Sequence, residues 1–469
     1  MTAALAERLM AWLRNSRADL RETAGPGAAP ADIAAFAESV RDRLRSAGVQ
    51  PHEPVQLTIA NRATDIGVML GIWLAGAVAV PIHHAASPTT REAIGRATGA
   101  RFQLDGLTIT RLADHAPRPR DLLASAALIV FTSGTTGVPK GVVLGHDALA
   151  GKIEALDRLL SFRQDDVVVM PLQLIFIFGI WVSLLAIRSG ATLVLVQKFS
   201  PETVEDLLAH EATILAAVPS MLRVMAARAL PRAARLRMVL TGGESLGPAL
   251  KETLDDAWPD AGVFDLYGST ETGSCDFCLP PWRETGAGTI GYPTENVAFR
   301  IVRDDGTVAA IGETGELQIR TPYGMLGYLD NPAMTSAAFD GDHYRSGDLA
   351  RLRPDGCTEL VGRLKEIVSR GGNKISPMEI ETVLCRHQDV AAALCAGVPD
   401  ARYGEAIHAV VVPKPGTCLT PDALKRWAGT QMERFKVPDV VVFSETLPVG
   451  PTGKASRAGV RQLTASLSG

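Results

Sequence analysis

The stretch FTSGTTGVPKGVVL, residues 131–144, decides how the rest of the chain is read. An apolar run, AALIVF at 126–131, precedes it and reads as a buried strand. A helix-like segment, HDALAGKIEALDRLL at 146–160, follows it. Between Thr132 and Gly141 lie three glycines, three threonines, a serine and a lysine. A strand, a glycine-rich loop and a helix form a recurrent phosphate cradle. Glycines turn backbone N–H groups inward, and a helix N-terminus adds partial positive charge. Ser133, Thr135 and Thr136 can donate hydroxyl hydrogen bonds, and Lys140 supplies a full charge. The spacing is not that of P-loop NTPases. Composition alone leaves a flexible surface turn as the alternative.

Working outward, residues 31–275 alternate between helical and strand-like segments. Helical ADIAAFAESVRDRLRSAG leads to PVQLTIA, and TDIGVMLGIWLAG leads to VAVPI. AALIVF, DVVVM, ATLVLV, TILAAV and RMVL follow, with helical stretches between. Strands apolar throughout and separated by helices predict doubly wound, mostly parallel sheets covered on both faces. After GTIGYP (288–293) the texture becomes short and turn-bounded: VAFRIV, GELQIR and TELVG, with RDDG (303–306) and RPDG (353–356) as hairpin turns. This predicts a β-rich subdomain. Beyond GRLKE (362–366) the order is helix, strand, helix, strand, with Ser376 and Thr420 as N-caps and Pro377 at a first helical position. The fold expected is α/β: an N-terminal domain over 1–364 and a small α+β domain over 365–469.

Composition bounds the function. The 469 residues exceed one hydrophobic core, and the net charge of -4 offers no basic field for nucleic acid. Six cysteines without a secretory signal suit a cytoplasmic protein, and CDFC (275–278) reads as two buried thiols rather than a zinc site. VVVMPLQLIFIFGIWVSLLAI (167–187) is long enough to span a bilayer, but Pro171, Gln173 and Gly179 interrupt it. A buried strand at 167–170, a loop and a buried helix at 180–188 fit better among alternating strands and helices, so no membrane span is expected. The N-terminal MTAALAERLMAWLRNSRADL reads as a surface helix.

At this point the residues resemble a known family. TSGTTGVPKG is similar to the signature of the adenylate-forming superfamily, which includes acyl-CoA synthetases, peptide-synthetase adenylation domains and firefly-type luciferases. LTGGESL (240–246), YGSTET (267–272), GETGEL (312–317), YRSGDLA (344–350), GRLKE (362–366), GGNKISPMEIE (371–381) and GPTGKASR (450–457) follow in the family's order. The resemblance spans nearly the whole chain. It implies two half-reactions: a carboxylate attacks the α-phosphate of ATP to give an acyl-adenylate and pyrophosphate, then a thiol displaces AMP. The thiol is that of CoA or of a carrier-protein phosphopantetheine; the remote alternative is a catalytically silent nucleotide-binding protein.

The resemblance also implies roles. Thr132, Ser133, Gly134, Thr135, Thr136, Gly137 and Lys140 would wrap the β- and γ-phosphates. Glu271 would hold Mg2+, Thr270 would donate to the α-phosphate, and Gly268 and Ser269 complete that motif. Tyr267 would stack on adenine, with Gly243 and Glu244 lining the pocket. Asp348 would accept both ribose hydroxyls beside Arg363. Lys454 would bridge the substrate carboxylate and the α-phosphate. Lys365 falls at the hinge about which the C-terminal domain rotates, and Gly371 and Gly372 would then face the thiol tunnel. Two departures stand out. Where many relatives carry histidine on the acyl pocket, counting back from Gly179 puts Phe176. With Ile177, Gly179 and Trp181 it predicts an acyl pocket for an apolar, aryl or aliphatic acid, since no aspartate there could hold an ammonium group. The stretch between VAVPI and AALIVF is also short, which implies a trimmed strand–helix unit. His146 reads as structural, capping a helix.

Overall fold

The computed structural model describes residues 3–16, 19–132, 140–283, 286, 288–414, 416–449 and 455–465. Two sheets sandwich a layer of helices. In the larger sheet the strands Gly262–Tyr267, Met238–Gly242, Ile214–Ala216, Val167–Met170, Thr192–Leu195 and Leu20–Glu22 run parallel in that spatial order. In the smaller sheet Ala126–Thr132, Val78–His83, Pro54–Ile59 and Phe102–Asp105 are parallel neighbours.

Side-chain alternation explains the layering. Val168 and Met170 join the main core, while Val169 between them joins a second one; Leu193, Leu195 and Val194 divide the same way. The main core also takes Val55, Leu57, Leu128 and Val130 of the smaller sheet, so the central helices are buried between both sheets. The outer cores are closed by Val204, Leu222 and Leu254 on one side and by Ile94 on the other. Strands buried on both faces must be apolar at every position, which is why their sequences lack polar alternation.

Two expectations change here, and the reading of segment 167–187 as a strand, a loop and a helix holds. The N-terminal helix Ala3–Asn15 is no surface appendage: Leu9 and Leu13 are fully buried in the main core. The first sheet keeps a helix, Pro88–Thr98, leading to Phe102–Asp105, and ends in an antiparallel edge strand, Thr108–Arg111. The segment 167–187 is a strand, Val167–Met170, and a helix, Ile177–Ser189, and no helix among the described residues is long and apolar enough to cross a membrane.

The β-rich part is hydrogen-bonded onto the large sheet rather than standing apart. Phe277–Leu279 pairs with Gly262–Tyr267 on one side and Thr289–Pro293 on the other, and the ladder continues through Thr358–Arg363, His343–Leu352, Thr314–Arg320 and Ala298–Val302. Gly306 and Gly356 close the two hairpin turns with φ of 81° and 80°. A third, separate sheet of five strands carries the C-terminal region, with its own core around Ile380, Ile407 and Leu424. Thr420 caps the helix Pro421–Gln431 through Ala423 N–H at 3.2 Å. Ser376 stands at the N-cap of Pro377–Leu384 with Pro377 next, but its hydroxyl makes no capping bond.

Candidate active site

The glycine loop is not followed directly by a helix. Lys140–Gly145 is a strand that runs back antiparallel to Ala126–Thr132, with Thr132 opposite Lys140. The strands on either side of residues 133–139 are thus antiparallel neighbours, and the helix His146–Leu160 starts only after the returning strand. The helix N-terminus therefore lies at the end of the returning strand remote from Lys140, and its partial charge acts only near its own first turn. Ser133, Gly134, Thr135, Thr136 and Gly137 lie outside the described residues, as does Lys454. The flanking Val449 and Ala455 form an antiparallel bridge.

Three segments converge on the returning strand. Gly327–Tyr328 pairs with it, Tyr328 opposite Val142, reinforced by Leu326 N–H to Val143 O and Leu329 N–H to Gly141 O, both 2.8 Å. Met325 N–H donates to Glu271 O at 2.7 Å. The Tyr328 hydroxyl then donates to Glu271 Oε1 at 3.0 Å, and Lys140 Nζ lies 5.3 Å from the centroid of the Tyr328 ring. Two predicted phosphate-site residues, Lys140 and Glu271, are thereby held against one phenol. Burial, with the Glu271 charge beside it, holds the Tyr328 phenol protonated and donating.

The YGSTET turn is tightly wound. Thr272 Oγ1 donates to Asp276, and Ser269 Oγ lies 3.1 Å from Thr272 Oγ1. Gly273, Ser274 and Cys275 are left-handed in succession, with φ of 79°, 67° and 52°. Such backbone costs of order 1–3 kcal/mol per non-glycine residue and persists where surrounding structure enforces it. Gly268 has no room for a Cβ, which would fall 2.9 Å from Ser274 C. Thr270 and Ser269 are half-buried on the same turn.

A second cluster lies where the strands end. Gly242 is opposite Leu266, so Gly243 and Tyr267 stand side by side at the carboxyl ends of neighbouring parallel strands, where α/β sheets bind ligands. Gly243 has a φ of 82°, which favours glycine. The Tyr267 hydroxyl donates to Asp348 Oδ2 at 2.6 Å, and Arg363 Nε donates to Asp348 Oδ1 at 2.8 Å. Burial raises the Asp348 carboxyl above its ordinary range against the pull of Arg363. Glu244 accepts from Ser220 Oγ at 3.0 Å and pairs with Arg223 at 3.5 Å.

The predicted acyl pocket divides. Ile177 lines a narrow crevice beside Gly273 and Tyr323. Phe176 is 37% exposed at the N-cap of the helix, whereas Trp181 is fully buried in the main core with Phe178 stacked on it at 5.0 Å. Gly179 packs against the Gln173 carbonyl, where a Cβ would sit at 2.6 Å. Gly371 and Gly372 form an exposed two-residue turn between Val368–Arg370 and Asn373–Ile375, both with positive φ. Lys365 sits in a single turn, Leu364–Glu366, joining the N-terminal strand Thr358–Arg363 to the C-terminal sheet.

His146 does not cap its helix through its side chain; the N-cap is Gly145. It is buried edge-on to Trp73 at 5.7 Å, and burial lowers its pKa to about 4. Cys275 and Cys278 are buried, and burial pushes the Cys275 thiol up to about 12.

Sequence reasoning missed Tyr328, Arg223, Lys152 and Arg457. Arg457 binds Glu366, next to Lys365, at 2.5 Å and also Glu381. Lys152 left a readable signal: it falls within the apolar stripe Leu149, Ile153, Leu156, Leu160 of its helix.

Comparison with known proteins fits this geometry. The AMP-binding enzyme family matches residues 31–329, and the AMP-binding enzyme C-terminal domain matches 379–454. An oxalate–CoA ligase of Arabidopsis thaliana is 30% identical over 471 residues, 91% of each chain. The fatty acid–[acyl-carrier-protein] ligase ScoC of Streptomyces coeruleorubidus is 33% identical over 365 residues, 74% of this chain and 69% of its own. ATP-bound MatB from Rhodopseudomonas palustris superposes with a TM-score of 0.87 at 25% identity, covering 100% of both chains. With the Tyr328–Glu271 contact, the strained turn after YGSTET and the Tyr267–Asp348–Arg363 cluster in place, the chain belongs to the AMP-binding enzyme family and is an adenylate-forming, AMP-producing acid–thiol ligase.

Proposed function

We propose that the protein activates an apolar aryl or aliphatic carboxylic acid with ATP and passes the acyl group to CoA. The observation that carries this reading is the meeting of Lys140 and Glu271 on Tyr328. Positive charge and a fixed carboxylate at one point suit a polyphosphate. Asp348 would take the ribose hydroxyls in place of, or beside, Tyr267, and Gly243 would admit the adenine edge-on to the strand ends. Thr270 and Lys454 would meet the α-phosphate, where charge grows as the acid oxygen attacks and pyrophosphate leaves.

Glu271 fits Mg2+, because it spends one oxygen on a neutral phenol and keeps carboxylate oxygen for a hard cation. Bound there, Mg2+ would draw negative charge off the phosphate oxygens. We assign 1–364 as the ATP- and acid-binding domain and 365–469 as a mobile domain turning at Lys365. In the second half-reaction the Gly371–Gly372 turn would line the thiol's path. The six free thiols support a cytoplasmic setting. A carrier-protein pantetheine is the second reading, favoured by the likeness to ScoC.

The test is acid-dependent pyrophosphate release over a panel of acids, followed by mass spectrometry with CoA or carrier protein as acceptor. An acyl-CoA product from an apolar acid is expected. Pyrophosphate release with no acid in the panel, or strong turnover of an α-amino acid, would overturn the reading.

A further inference from the structure

The loop that leads to Phe176 is largely buried, and one side chain from the other sheet holds it. Leu172 and Leu174 are both buried, between strand Val167–Met170 and helix Ile177–Ser189. A buried loop has no ladder to satisfy its backbone, so each N–H and C=O needs a partner from elsewhere. Asn61 supplies them. Its Nδ2 donates to Leu172 O at 2.7 Å and to Val196 O at 3.3 Å, and its Oδ1 accepts from Leu174 N–H at 2.9 Å. A primary amide offers donors and an acceptor from one planar head. Asn61 is fully buried and left-handed, with φ of 58°, a conformation asparagine tolerates better than most side chains.

Position gives this anchor a direction. Asn61 lies just beyond Pro54–Ile59 of the smaller sheet, and Val196 just beyond Thr192–Leu195 of the larger. The amide therefore bridges the carboxyl ends of strands from both sheets, the ends at which α/β sheets bind ligands. From the other side the helix fixes the loop: Phe176 N–H donates to Gln173 O, and Ile180 N–H to Phe176 O, both at 3.1 Å. With Leu174 held by Asn61 and Gln173 by the helix start, the backbone at Phe176 is determined on both flanks, while the ring stays partly exposed. Loss of the amide would take a partner from three buried backbone groups, and the loop would shift to recover one. Phe176 would move with it.

We propose that Asn61 is a positioning residue that sets the acid selectivity of the enzyme by fixing the direction of the Phe176 ring. It acts through the loop 172–176 and not by contact with the acid. The proposal rests on the acid-activation reading above, with Phe176 on the acyl pocket. Selectivity then depends on the joint between the two sheets as well as on the pocket wall, because a wall discriminates between acids only as far as it is held in place.

The test is a double-mutant cycle on kcat/KM for pyrophosphate release, with benzoate, 4-methylbenzoate and 4-ethylbenzoate, and with butanoate, hexanoate and octanoate. Asn61→Gly removes the amide and keeps the left-handed backbone without strain. The unmodified enzyme should rank its better-used series in steps of about 10-fold or more per misfitted group; Asn61→Gly should compress them to within about 3-fold, with KM for ATP changed by less than about 2-fold. Phe176→Ala should also alter the ranking, and adding Asn61→Gly to it should alter the ranking no further, because two residues acting through one contact are not additive. Asn61→Asp keeps the acceptor for Leu174 N–H and loses the amide donors. It should compress the steps partway, and it serves if Asn61→Gly fails to fold by circular dichroism. Equal loss on all acids, a rise in KM for ATP that accounts for the loss, or additive effects in the double variant would overturn the proposal and leave Asn61 a structural tie. An unaltered ranking in Phe176→Ala would overturn it through the pocket wall while acid activation stands. Release with no acid by the unmodified enzyme would overturn both.

Discussion

Tyr328 joins Lys140 and Glu271, the two residues proposed for the phosphates, through one hydroxyl and one ring face, so its two contacts can be separated. Tyr328→Phe keeps the ring under Lys140 and removes the donor to Glu271. A hydrogen bond to a charged group is worth about 1.5–3 kcal/mol. Adenylation, followed by ATP–pyrophosphate exchange, should fall roughly tenfold or more. Thioester formation from pre-made acyl-adenylate should barely change; equal loss in both would show that Tyr328 is only structural. His146 makes a different prediction. Its folded pKa, about 4, lies below the ordinary histidine value because burial beside Trp73 disfavours the cation. The unfolded chain therefore takes up a proton near pH 6.5 that the folded chain refuses. Stability is intact above that pH and falls as pH drops toward 4, by roughly 3 kcal/mol at the limit. Melting curves from pH 7 to 4.5 should show the decline, and His146→Gln should flatten it; an unchanged slope would locate the titration elsewhere.

At the scale of elements, helix Ile177–Ser189 shows why an apolar run resists reading. Its residues are hydrophobic all round, so periodicity cannot say which face meets a ligand. Burial separates them: Trp181 is core and Phe176 is not. Trp181→Ala should cost about 3–5 kcal/mol of stability, whereas Phe176→Ala should cost far less and instead alter the ranking of acids. Denaturant melts and an acid panel on both variants check this; an unstable Phe176→Ala with unaltered ranking would refute the division. The antiparallel pairing of Ala126–Thr132 with Lys140–Gly145 was obscure for another reason. VVLG after the loop is too short to announce a strand, and the long amphipathic helix behind it absorbed the signal. What was legible were the doubly buried strands, whose apolar runs have no other stable home, and the motif residues Tyr267, Asp348 and Arg363. Tyr328 was not legible, because its partner Glu271 is 57 residues away and only the returning strand brings them together. The left-handed run at Gly273–Cys275 was hidden too, since Ser and Cys carry no signal for positive φ.

For the molecule as a whole, the join between N-terminal strand and C-terminal sheet is one short turn around Lys365. Arg457 clamps Glu366 to Glu381 and so binds the segment after Lys454 to the C-terminal side of that turn. The tail and the small domain should therefore move as one body. Lys365→Pro, which fixes φ near -65°, should leave one half-reaction working and slow the other at least tenfold. Rapid-quench measurement of each step decides it, and two normal rates would place the pivot elsewhere. The large sheet has a consequence of its own for biosynthesis. Leu20–Glu22 lies against Thr192–Leu195, whose residues are made some 170 positions later. At about 5–20 residues per second, the first strand leaves the ribosome roughly 10–35 seconds before its partner exists. The growing chain must carry that unpaired edge through roughly a third of the synthesis of these 469 residues, so the yield of this enzyme in a cell will depend on how well Leu20–Glu22 is shielded while it waits.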